Sequence, residues 1–488
     1  MNSSRFFSCT RNEKMVVQKL FESVKHPFMY EFLVKPKAMH QVNKEYQEGI
    51  SGVMGERCLI SMEHGKSEGR GESVGKNRIS VYKYLSGQES KMFQCCSSER
   101  IPSDKFDFSG ISVEAASKKK GILFVMNPIG GGVEYYQNTY IEQNKHKYRV
   151  YKMTFRAGIF RIEDMSQEVP MHYNFEFHNY DENSFQSLLK SMDIELIYIN
   201  HFIKFPIFEL MGFIRYSGID YIYFIHDFFC ICPLVNLIKK SGPYCNNETD
   251  VNICKRCLDG FGETDIQTWR KNFESFLSKA QMVIAPSNSA KEIVKKHFPH
   301  ITIDVQEHPL SPNIYYTYNP EFANEKELNV AFIGSIQKNK GSHILYKLKM
   351  EIERRKLPLC IKVIGLTDRH KRKFVSPSGR FIVTGPYDNR QISDLLAEHK
   401  ISIVITSSIC PETFSYTTSE AMFSGYPVIA FDMGAPAERI KKYNGGWILK
   451  EVSSMSVLQL LQKLLVSRGE ILGKVRNLSV VCQNKGIF

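Results

Sequence analysis

Two glutamates near the C-terminal end of the chain are spaced E-x7-E in the segment ICPETFSYTTSEAMFSGYPVIAF, residues 409–431. Glu412 follows a predicted strand, and Glu420 lies in the first turn of a helix predicted to begin around Thr417. Free N–H groups at such a helix start can bind phosphate, aided by the helix dipole, and a neighbouring carboxylate can accept hydrogen bonds from sugar hydroxyls. The alternative is structural, because Thr417-x-x-Glu420 is also a capping box in which the glutamate only satisfies backbone groups.

A glycine-rich turn, Gly130-Gly131-Gly132, follows the apolar segment GILFVMN and precedes a helix-like stretch. Glycine lets the backbone approach a phosphate or a sugar closely, although a plain tight turn has the same composition. The turn does not match the G-x-G-x-x-G pattern with a later acidic residue. A nicotinamide cofactor is therefore not expected.

Two histidines follow predicted strands in the first half of the chain. His226 comes directly after YIYFI, and His201 directly after IELIYIN. Ligands of parallel sheets bind outside the carboxyl ends of the strands, so either side chain could contact a substrate. A structural role is the alternative for both.

Four cysteines lie in CPLVNLIKKSGPYCNNETDVNICKRCL, just after the His226 strand end. Cys254-x2-Cys257 has the spacing of a structural zinc knuckle, and Cys232 and Cys245 could complete a site of four thiolates. Such a closed site would be structural, because it leaves no coordination position for a substrate. The alternatives are unligated thiols and a disulfide, with Cys230 as a spare thiol.

Strand and helix signals alternate in two blocks separated by a polar, proline-containing stretch. Continuously apolar segments such as QMVIAPS in the first block and LNVAFIG in the second are typical of parallel strands that helices cover on both faces. The pattern predicts an α/β protein with two Rossmann-like, doubly wound domains that face each other across a cleft. The predicted segments are a polar, partly disordered extension (1–118), a first domain (119–310) with a cysteine-rich insertion (228–260), a linker (311–327), a second domain (328–452), and a C-terminal helix and tail (453–488).

The chain of 488 residues is 43% hydrophobic and 12% aromatic, which is enough for sizeable cores. It has 64 Lys and Arg against 51 Asp and Glu, a net charge of +13. Such an excess favours a polyanionic partner, namely nucleic acid, an anionic membrane face or a phosphorylated ligand, or is only a solvated basic surface. No basic stripe is interleaved with aromatic residues, so a nucleic acid is not expected.

The chain contains no run of about 18 apolar residues, and its N-terminus lacks the apolar core and the cleavage site of a signal peptide. We therefore expect a cytoplasmic protein, in which cysteines are thiols or metal ligands rather than disulfides. A basic N-terminal face could hold it peripherally at the anionic inner face of the membrane.

The segment PETFSYTTSEA…G.PVIAFD.GAPAERI resembles the C-terminal signature of the retaining GT-B glycosyltransferases of family four, the group 1 type. It is similar to members that build bacterial surface polysaccharides. Further motifs occur in the expected order, so the resemblance spans roughly Gly121 to Leu449. It implies the GT-B fold, with a first domain on the acceptor side and a second domain that binds the donor.

The resemblance implies roles for individual residues around the two glutamates. Glu420 is expected to hold the ribose hydroxyls of a donor nucleotide, and Glu412 to lie near the transferred sugar. The amides of Phe414 and Ser415 are expected close to the sugar and phosphate. His226 matches a family histidine that points into the cleft near the donor sugar, and a catalytic or substrate-contacting role follows for it.

The segment FIGSIQKNKG, residues 332–341, resembles the family's G-R-x4-K-G motif, whose basic residues neutralise the donor diphosphate. Gly334 and Lys340 match the motif, and Lys340 is expected to act in catalysis. Ser335 stands where arginine is usual, so one positive charge is missing from this donor-binding set. In the first domain, Gly131 and Gly132 match the family's G-G-x-E loop at the donor site.

The activity implied is transfer of a hexosyl group from a nucleotide-diphosphate sugar to a hydroxyl of a glycan or lipid-linked acceptor, with retention and without a catalytic metal. A structural zinc at the four cysteines is the one metal that the sequence suggests. The alternatives are a nucleotide-sugar epimerase or phosphorylase of the same fold, and a basic protein that binds nucleic acid or a membrane surface without catalysis.

Overall fold

The computed structural model describes residues 80–82, 93–94, 119–126, 128, 130–166, 171–176, 181–260 and 265–487. Most of the predicted N-terminal extension, 1–118, lies outside the described residues. The predicted partial disorder concerns this part of the chain and stays a prediction. From Lys119 onward the described chain forms the two predicted α/β blocks.

The first sheet has ten strands in the described part of the chain, in the order β10-β9-β8-β7-β3-β4-β5-β6-β1-β2. Strands β10 to β4 of this order run parallel, and the pairs from β4 to β2 are antiparallel. The strands are β1 (Ser80–Tyr82), β2 (Phe93–Gln94), β3 (Gly121–Val125), β4 (Arg149–Arg156), β5 (Ile159–Asp164), β6 (Met171–Glu176), β7 (Ile194–Ile199), β8 (Asp220–Phe224), β9 (Met282–Ala285) and β10 (Asp304–Val305).

The antiparallel half of this sheet differs from the purely parallel sheet that the sequence predicts. β4 and β5 form a hairpin joined by Ala157 and Gly158, which have φ angles of 50° and 80°. Two central residues with positive φ are typical of the type I′ turn, whose twist matches that of the flanking strands. Apolar and polar residues alternate on either side of this Ala-Gly turn. This alternation is a sequence signal for the two strands that the prediction of a parallel sheet did not include.

Helices flank this sheet and begin at residues suited to cap them. Ser287 accepts a hydrogen bond from the Ala290 N–H at 3.1 Å, and Asp181, Asp250 and Asp265 cap their helices in the same way. The helices are α1 (Gly131–Asn144), α2 (Glu182–Ser191), α3 (Ile207–Ser217), α4 (Val251–Leu258), α5 (Ile266–Leu277) and α6 (Asn288–Lys295).

The second sheet has seven strands, in the order β13-β14-β12-β11-β15-β16-β17, and only its edge pair β13–β14 is antiparallel. The first of its central strands, β11, is almost wholly buried because its LNVAFI sequence packs on both faces. The strands are β11 (Leu328–Ile336), β12 (Leu359–Thr367), β13 (Phe374–Val375), β14 (Phe381–Val383), β15 (Ile403–Thr406), β16 (Val428–Phe431) and β17 (Gly446–Leu449).

Six α-helices accompany the second sheet, and the last two occupy the segment for which the sequence predicts one helix and a tail. Both pack apolar residues into the core of the second domain, through Leu461 in the first and Leu478 in the second. Among the described residues, no helix is long and apolar enough to cross a lipid bilayer. These helices are α7 (Ser342–Arg354), α8 (Ile392–Glu398), α9 (Tyr416–Phe423), α10 (Gly434–Tyr443), α11 (Ser454–Val466) and α12 (Arg468–Asn484).

Two glycines of the second domain provide a matched test of this packing. A Cβ on Gly446 would lie 1.9 Å from the Val428 carbonyl oxygen, whereas Gly473 inside α12 has open space around it. We expect Gly446→Ala to lower the free energy of unfolding by about 1–3 kcal/mol through overpacking. Gly473→Ala should raise it by about 0.5–1 kcal/mol, because alanine favours helix. Equal effects of the two substitutions in chemical denaturation would contradict the packing described.

Candidate functional site

The loop between β15 and α9 turns sharply where the helix begins. Ser415, at the cap position of α9, has a φ of 65°, a left-handed conformation that costs free energy in a residue other than glycine. The buried Arg439 of α10 donates hydrogen bonds to the carbonyls of Phe414 at 2.9 Å and Ser415 at 3.3 Å. Its guanidinium also lies 4.5 Å from the centre of the Phe414 ring. Arg439 therefore holds the loop in this conformation.

Lys340 and Glu412 form an ion pair beside this loop. The Lys340 ammonium lies 2.5 Å from Glu412 Oε2, and the Ser408 hydroxyl donates to the other carboxylate oxygen. Burial acts to raise the pKa of Glu412, but the Lys340 charge and hydrogen bonds from Lys340, Ser408 and Ser415 outweigh it and lower the pKa below its usual value. Glu412 is therefore ionised at neutral pH, while the Lys340 side chain is still 38% exposed.

The backbone around Lys340 is fixed to the end of β15. The Ser407 hydroxyl donates to the Lys340 carbonyl at 2.7 Å. Gly341 has a φ of 75°, and a Cβ on it would lie 2.1 Å from the Ser407 carbonyl oxygen. Only glycine fits this close approach, and the loop that carries Lys340 is brought against the loop that carries Glu412 as a result.

The Glu420 side chain is buried, and its carboxylate has no hydrogen-bond or ion-pair partner within the described residues. Burial alone raises its pKa to about 7. The capping-box alternative is wrong, because α9 begins at Tyr416, so that Thr417 lies inside the helix, and no side chain caps its start. A buried carboxylate without a partner is unfavourable for the protein alone, which makes Glu420 a candidate ligand-binding group.

The other predicted residues of the second domain lie at the end of β11. Gly334 has a φ of 97° and faces Thr417 of α9, whose methyl group would lie 3.7 Å from a Cβ. Ser335 is exposed, and its hydroxyl accepts a hydrogen bond from Gln337 Nε2 at 2.9 Å. Ser335 therefore supplies no charge at the position where the family motif has arginine.

The glycine turn of the first domain reaches the start of α9. A Cβ on Gly132 would lie 3.0 Å from the Tyr416 ring, whereas Gly131, with a φ of 72°, has open space. The Gly130 N–H donates to the Glu134 carboxylate at 2.9 Å. The structure thus brings the predicted glycine turn and the predicted phosphate-binding helix start together.

His226 also lies at this meeting point. Its Nε2–H donates to the Asn200 side-chain oxygen at 2.8 Å, its Nδ1 has no partner among the described residues, and its carbonyl accepts from the Thr413 hydroxyl at 2.6 Å. Burial, with smaller effects of His308 and His201, lowers its pKa well below the usual value. His226 is therefore neutral, with a free acceptor nitrogen beside the Glu412 loop.

His201 has a structural role in the described chain. Its Nδ1 accepts from the Ile203 N–H at 2.8 Å, so Nε2 carries the proton and donates to the Asp227 carboxylate at 2.6 Å. Asp227 also accepts from the Phe229 N–H at 2.9 Å. Both ring nitrogens of His201 are thus used to fix the loops after β7 and β8.

His308 was not found by the sequence motifs, because it precedes the linker in a segment without a pattern. Its ring lies 4.4 Å from both the Tyr136 and the Phe414 ring centres, which belong to different domains. Neither ring nitrogen has a partner among the described residues. Burial and the Arg439 charge lower its pKa to about 3.

Polar contacts join the two domains at the same edge of the cleft. The Thr413 carbonyl accepts from the Ser287 hydroxyl at 2.7 Å. The Glu438 carboxylate accepts from the Ser289 N–H at 2.7 Å and from the Asn288 side chain at 3.0 Å. Glu438 of the second domain thus satisfies the free N–H groups at the start of α6 in the first.

The cysteine-rich insertion is held by Arg270, which donates to the Ile231 and Glu248 carbonyls and lies 3.2 Å from Cys254 Sγ. Burial, with smaller effects of the two neighbouring thiols Cys245 and Cys254, raises the pKa of Cys232 to about 12. Within the described residues, no group of three or more His, Cys, Asp or Glu side chains is arranged to hold a metal ion. The four-thiolate zinc site stays a prediction.

The second domain matches a known sequence family. The model of this family, described as glycosyl transferases group 1, covers residues 318–477 and with them Lys340, Glu412 and Glu420. This part of the chain matches the group 1 glycosyl transferases. A comparison with curated proteins gives no match. The family match and the fold together support glycosyl transfer.

The similarity to solved structures covers both domains of the chain. The chain is similar to the Anabaena protein Alr3699/HepE in complex with UDP, at a TM-score of 0.50 and 14% identity, over 75% of this chain and 95% of that chain. It is also similar to sucrose-phosphate synthase from Thermosynechococcus elongatus, at a TM-score of 0.46 and 13% identity, over 75% and 94% of the two chains. At such identities the similarity is one of fold. The predicted GT-B fold with two Rossmann-like domains is confirmed.

The isolated carboxylate of Glu420 predicts a pH-dependent stability. Its folded-state pKa of about 7 exceeds the ordinary value of 4.5, so the stability that its protonated form contributes is present below about pH 4.5 and is lost as pH rises through 7. Glu420→Gln, which stays neutral, should match the parent protein below pH 4.5 and exceed its free energy of unfolding by up to about 3 kcal/mol above pH 7.

Chemical denaturation across this pH range measures the difference. Glu398→Gln is the matched control, because Glu398 is exposed on α8 and has no ion-pair partner within the described residues. A constant difference between Glu420→Gln and the parent over the whole pH range would contradict the raised pKa.

Proposed function

We propose that the protein transfers a hexosyl group from a nucleotide-diphosphate sugar to a hydroxyl of a glycan or glycolipid acceptor, with retention of configuration. The observation that carries this proposal is the Lys340–Glu412 pair at the left-handed start of α9, within the segment that matches group 1. One half-exposed cation and a set of free backbone N–H groups meet there. This arrangement suits a diphosphate that leaves with negative charge.

In the proposed complex, the donor diphosphate lies between Lys340 and the N–H groups at the start of α9. The Lys340 ammonium would then contact the diphosphate as well as the Glu412 carboxylate. Because Ser335 contributes no charge and Arg439 is occupied by backbone carbonyls, Lys340 is the principal cation for the leaving group. The stabilisation of the diphosphate by Lys340 should increase as negative charge develops on the leaving group in the transition state.

The ribose of the donor is proposed to bind Glu420. Hydroxyl groups that donate to this carboxylate would supply the partners that the described residues do not, and would favour its charged form. Glu420 lies on the same helix whose start would hold the diphosphate, so one helix would contact both parts of the donor. The similar HepE structure is a complex with UDP, which supports a nucleotide donor.

His226 is proposed to contact the transferred sugar. Its proton is on Nε2, bonded to Asn200, so the unpartnered Nδ1 can accept a hydrogen bond from a sugar hydroxyl. Because its pKa lies well below neutral, it remains neutral and does not act as an acid. Its role is therefore to orient the sugar.

Retention is proposed to proceed by displacement on one face. The bond between the anomeric carbon and the diphosphate oxygen breaks, the acceptor oxygen bonds to the same carbon, and the acceptor proton passes to the leaving phosphate. Glu412 is engaged by Lys340 and Ser408, which makes it a poor covalent nucleophile. An epimerase or phosphorylase of the same fold would use the same donor contacts with a different acceptor.

Substitution of Lys340 tests the donor site. With a panel of nucleotide sugars and a glycan acceptor, Lys340→Ala should lower kcat/KM about 100-fold or more, because it removes the cation that stabilises the leaving diphosphate. Lys338→Ala is the matched control, because Lys338 is an exposed lysine of the same loop without an ion-pair partner among the described residues. It should leave kcat/KM unchanged.

The panel also separates the alternative functions. Epimerised nucleotide sugar without an acceptor product would favour an epimerase, and dependence on inorganic phosphate would favour a phosphorylase. The transferase proposal would fail if the protein consumed no nucleotide sugar, if no nucleotide sugar stabilised it against heat, and if it bound RNA with a steep salt dependence.

Restoring the missing charge is a gain-of-function test. Ser335→Arg should raise kcat/KM by about tenfold or more, since a hydrogen bond to a charged group contributes about 1.5–3 kcal/mol. Ser335→Gln, of similar polarity but neutral, should not. A loss of activity in Ser335→Arg at unchanged thermal stability would show that the diphosphate does not lie beside this residue.

A further inference from the structure

A run of five basic residues, RHKRK, follows β12 and forms the loop that leads to the edge strand β13. Arg369, Lys371, Arg372 and Lys373 are exposed, and none of them has a carboxylate partner among the described residues. Most other exposed cations of this domain, such as Lys400, pair with an acid. Four unpaired cations within five residues repel one another and create a positive potential that attracts an anionic partner.

The exposed face of α7 continues this surface. His343, Lys347 and Met350 follow one another at positions i, i+4 and i+7, so they share one side of the helix. The neighbouring Tyr346 joins the two elements, because the Arg369 guanidinium lies 4.1 Å from the centre of its ring. We call the combined area the basic surface; it consists of His343, Lys347, Met350, Arg369, Lys371, Arg372, Lys373 and Val375.

The acidic residues beside the basic surface are turned toward other partners. Asp368 accepts a hydrogen bond from the Ser342 hydroxyl at 2.7 Å. Glu353 pairs with Lys349 at 3.1 Å and accepts from the Ser378 hydroxyl. The five lysines and arginines of the surface are therefore not neutralised from within the domain.

Two large apolar side chains project from the same area. Met350 is 65% exposed and Val375 is 50% exposed, values among the highest for large hydrophobic residues of the described chain. Lysines and arginines attract the headgroups of an anionic bilayer, and adjacent apolar side chains can enter the boundary between headgroups and acyl chains. Cations flanked by protruding apolar groups are thus the combination that binds the surface of an anionic bilayer.

Nucleic acid fits this surface less well. Single-stranded nucleic acids are held by aromatic rings on which bases stack. The two rings closest to the basic loop are covered, since Arg369 lies over Tyr346 and His370 stacks on Phe374 with ring centres 4.0 Å apart. The surface offers charge and aliphatic side chains but no open aromatic platform.

We propose that the basic surface docks the second domain on an anionic phospholipid bilayer. The surface borders the candidate site, because the Asp368 N–H donates to the Ile336 carbonyl at 3.2 Å, at the start of the loop that carries Lys340. A bilayer bound there lies beside the mouth of the cleft. If the proposed transfer reaction holds, the acceptor class that this position serves is a lipid-linked glycan presented at the membrane.

Vesicle flotation of the full chain tests the docking. The parent protein should bind vesicles of phosphatidylcholine mixed with phosphatidylglycerol, should not bind pure phosphatidylcholine, and should dissociate as salt is raised. The triple variant Lys371→Glu/Arg372→Glu/Lys373→Glu should bind at least about 100-fold more weakly, because each basic residue near an anionic surface contributes about 1 kcal/mol.

The matched control changes the net charge by the same amount elsewhere. Lys271→Glu/Lys279→Glu/Arg476→Glu alters three exposed cations that also have no ion-pair partner among the described residues. It should keep most of the vesicle affinity. Met350→Ser/Val375→Ser should weaken binding while leaving its salt dependence intact.

Several outcomes would overturn the proposal: equal binding to neutral vesicles, equal losses in the two triple variants, or binding of an RNA oligonucleotide that anionic vesicles do not displace. Nucleotide-sugar turnover on a soluble acceptor is measured on the same variants. It should be unchanged in the Lys371→Glu/Arg372→Glu/Lys373→Glu variant, so a failure of membrane docking and a failure of the transfer proposal give different results.

Discussion

The candidate site depends on one buried guanidinium. Arg439 donates to the carbonyls of Phe414 and Ser415 and stacks on the Phe414 ring, and burial of this cation lowers its pKa. A buried charge is costly unless it is hydrogen-bonded, so these contacts oppose a change in the conformation of the loop before α9. The Phe414 ring that Arg439 contacts also stacks on the ring of His308, with ring centres 4.4 Å apart.

The site keeps its polar groups in two different electrostatic conditions. Glu412 is paired with Lys340 and stays ionised. Glu420 is isolated, and because its pKa is about 7, its protonated and charged forms are both populated near neutral pH. His226 and His308 are neutral because they are buried. The interior is thus short of hydrogen-bond partners at several atoms, which is the condition of a surface that is completed by a ligand.

Local sequence patterns were sufficient to predict the fold class and the two domains. The alternation of apolar strands and helices predicted the two Rossmann-like domains. The contacts of Arg439 and His308 could not be predicted, because they join segments far apart in the chain. The antiparallel strands were missed because their half-buried alternation is weaker than a continuous apolar run. The capping-box alternative was wrong because α9 begins at Tyr416, before Thr417 rather than after it.

The contacts of Thr413 and Glu438 with the first domain have a consequence for motion. Thr413 is bonded through its side chain to the carbonyl after β8 and through its backbone to Ser287, while Glu438 satisfies the first N–H groups of α6. Any separation of the domains breaks these bonds together and leaves the α6 terminus to water. When the domains separate, these hydrogen bonds should therefore be lost cooperatively rather than one at a time.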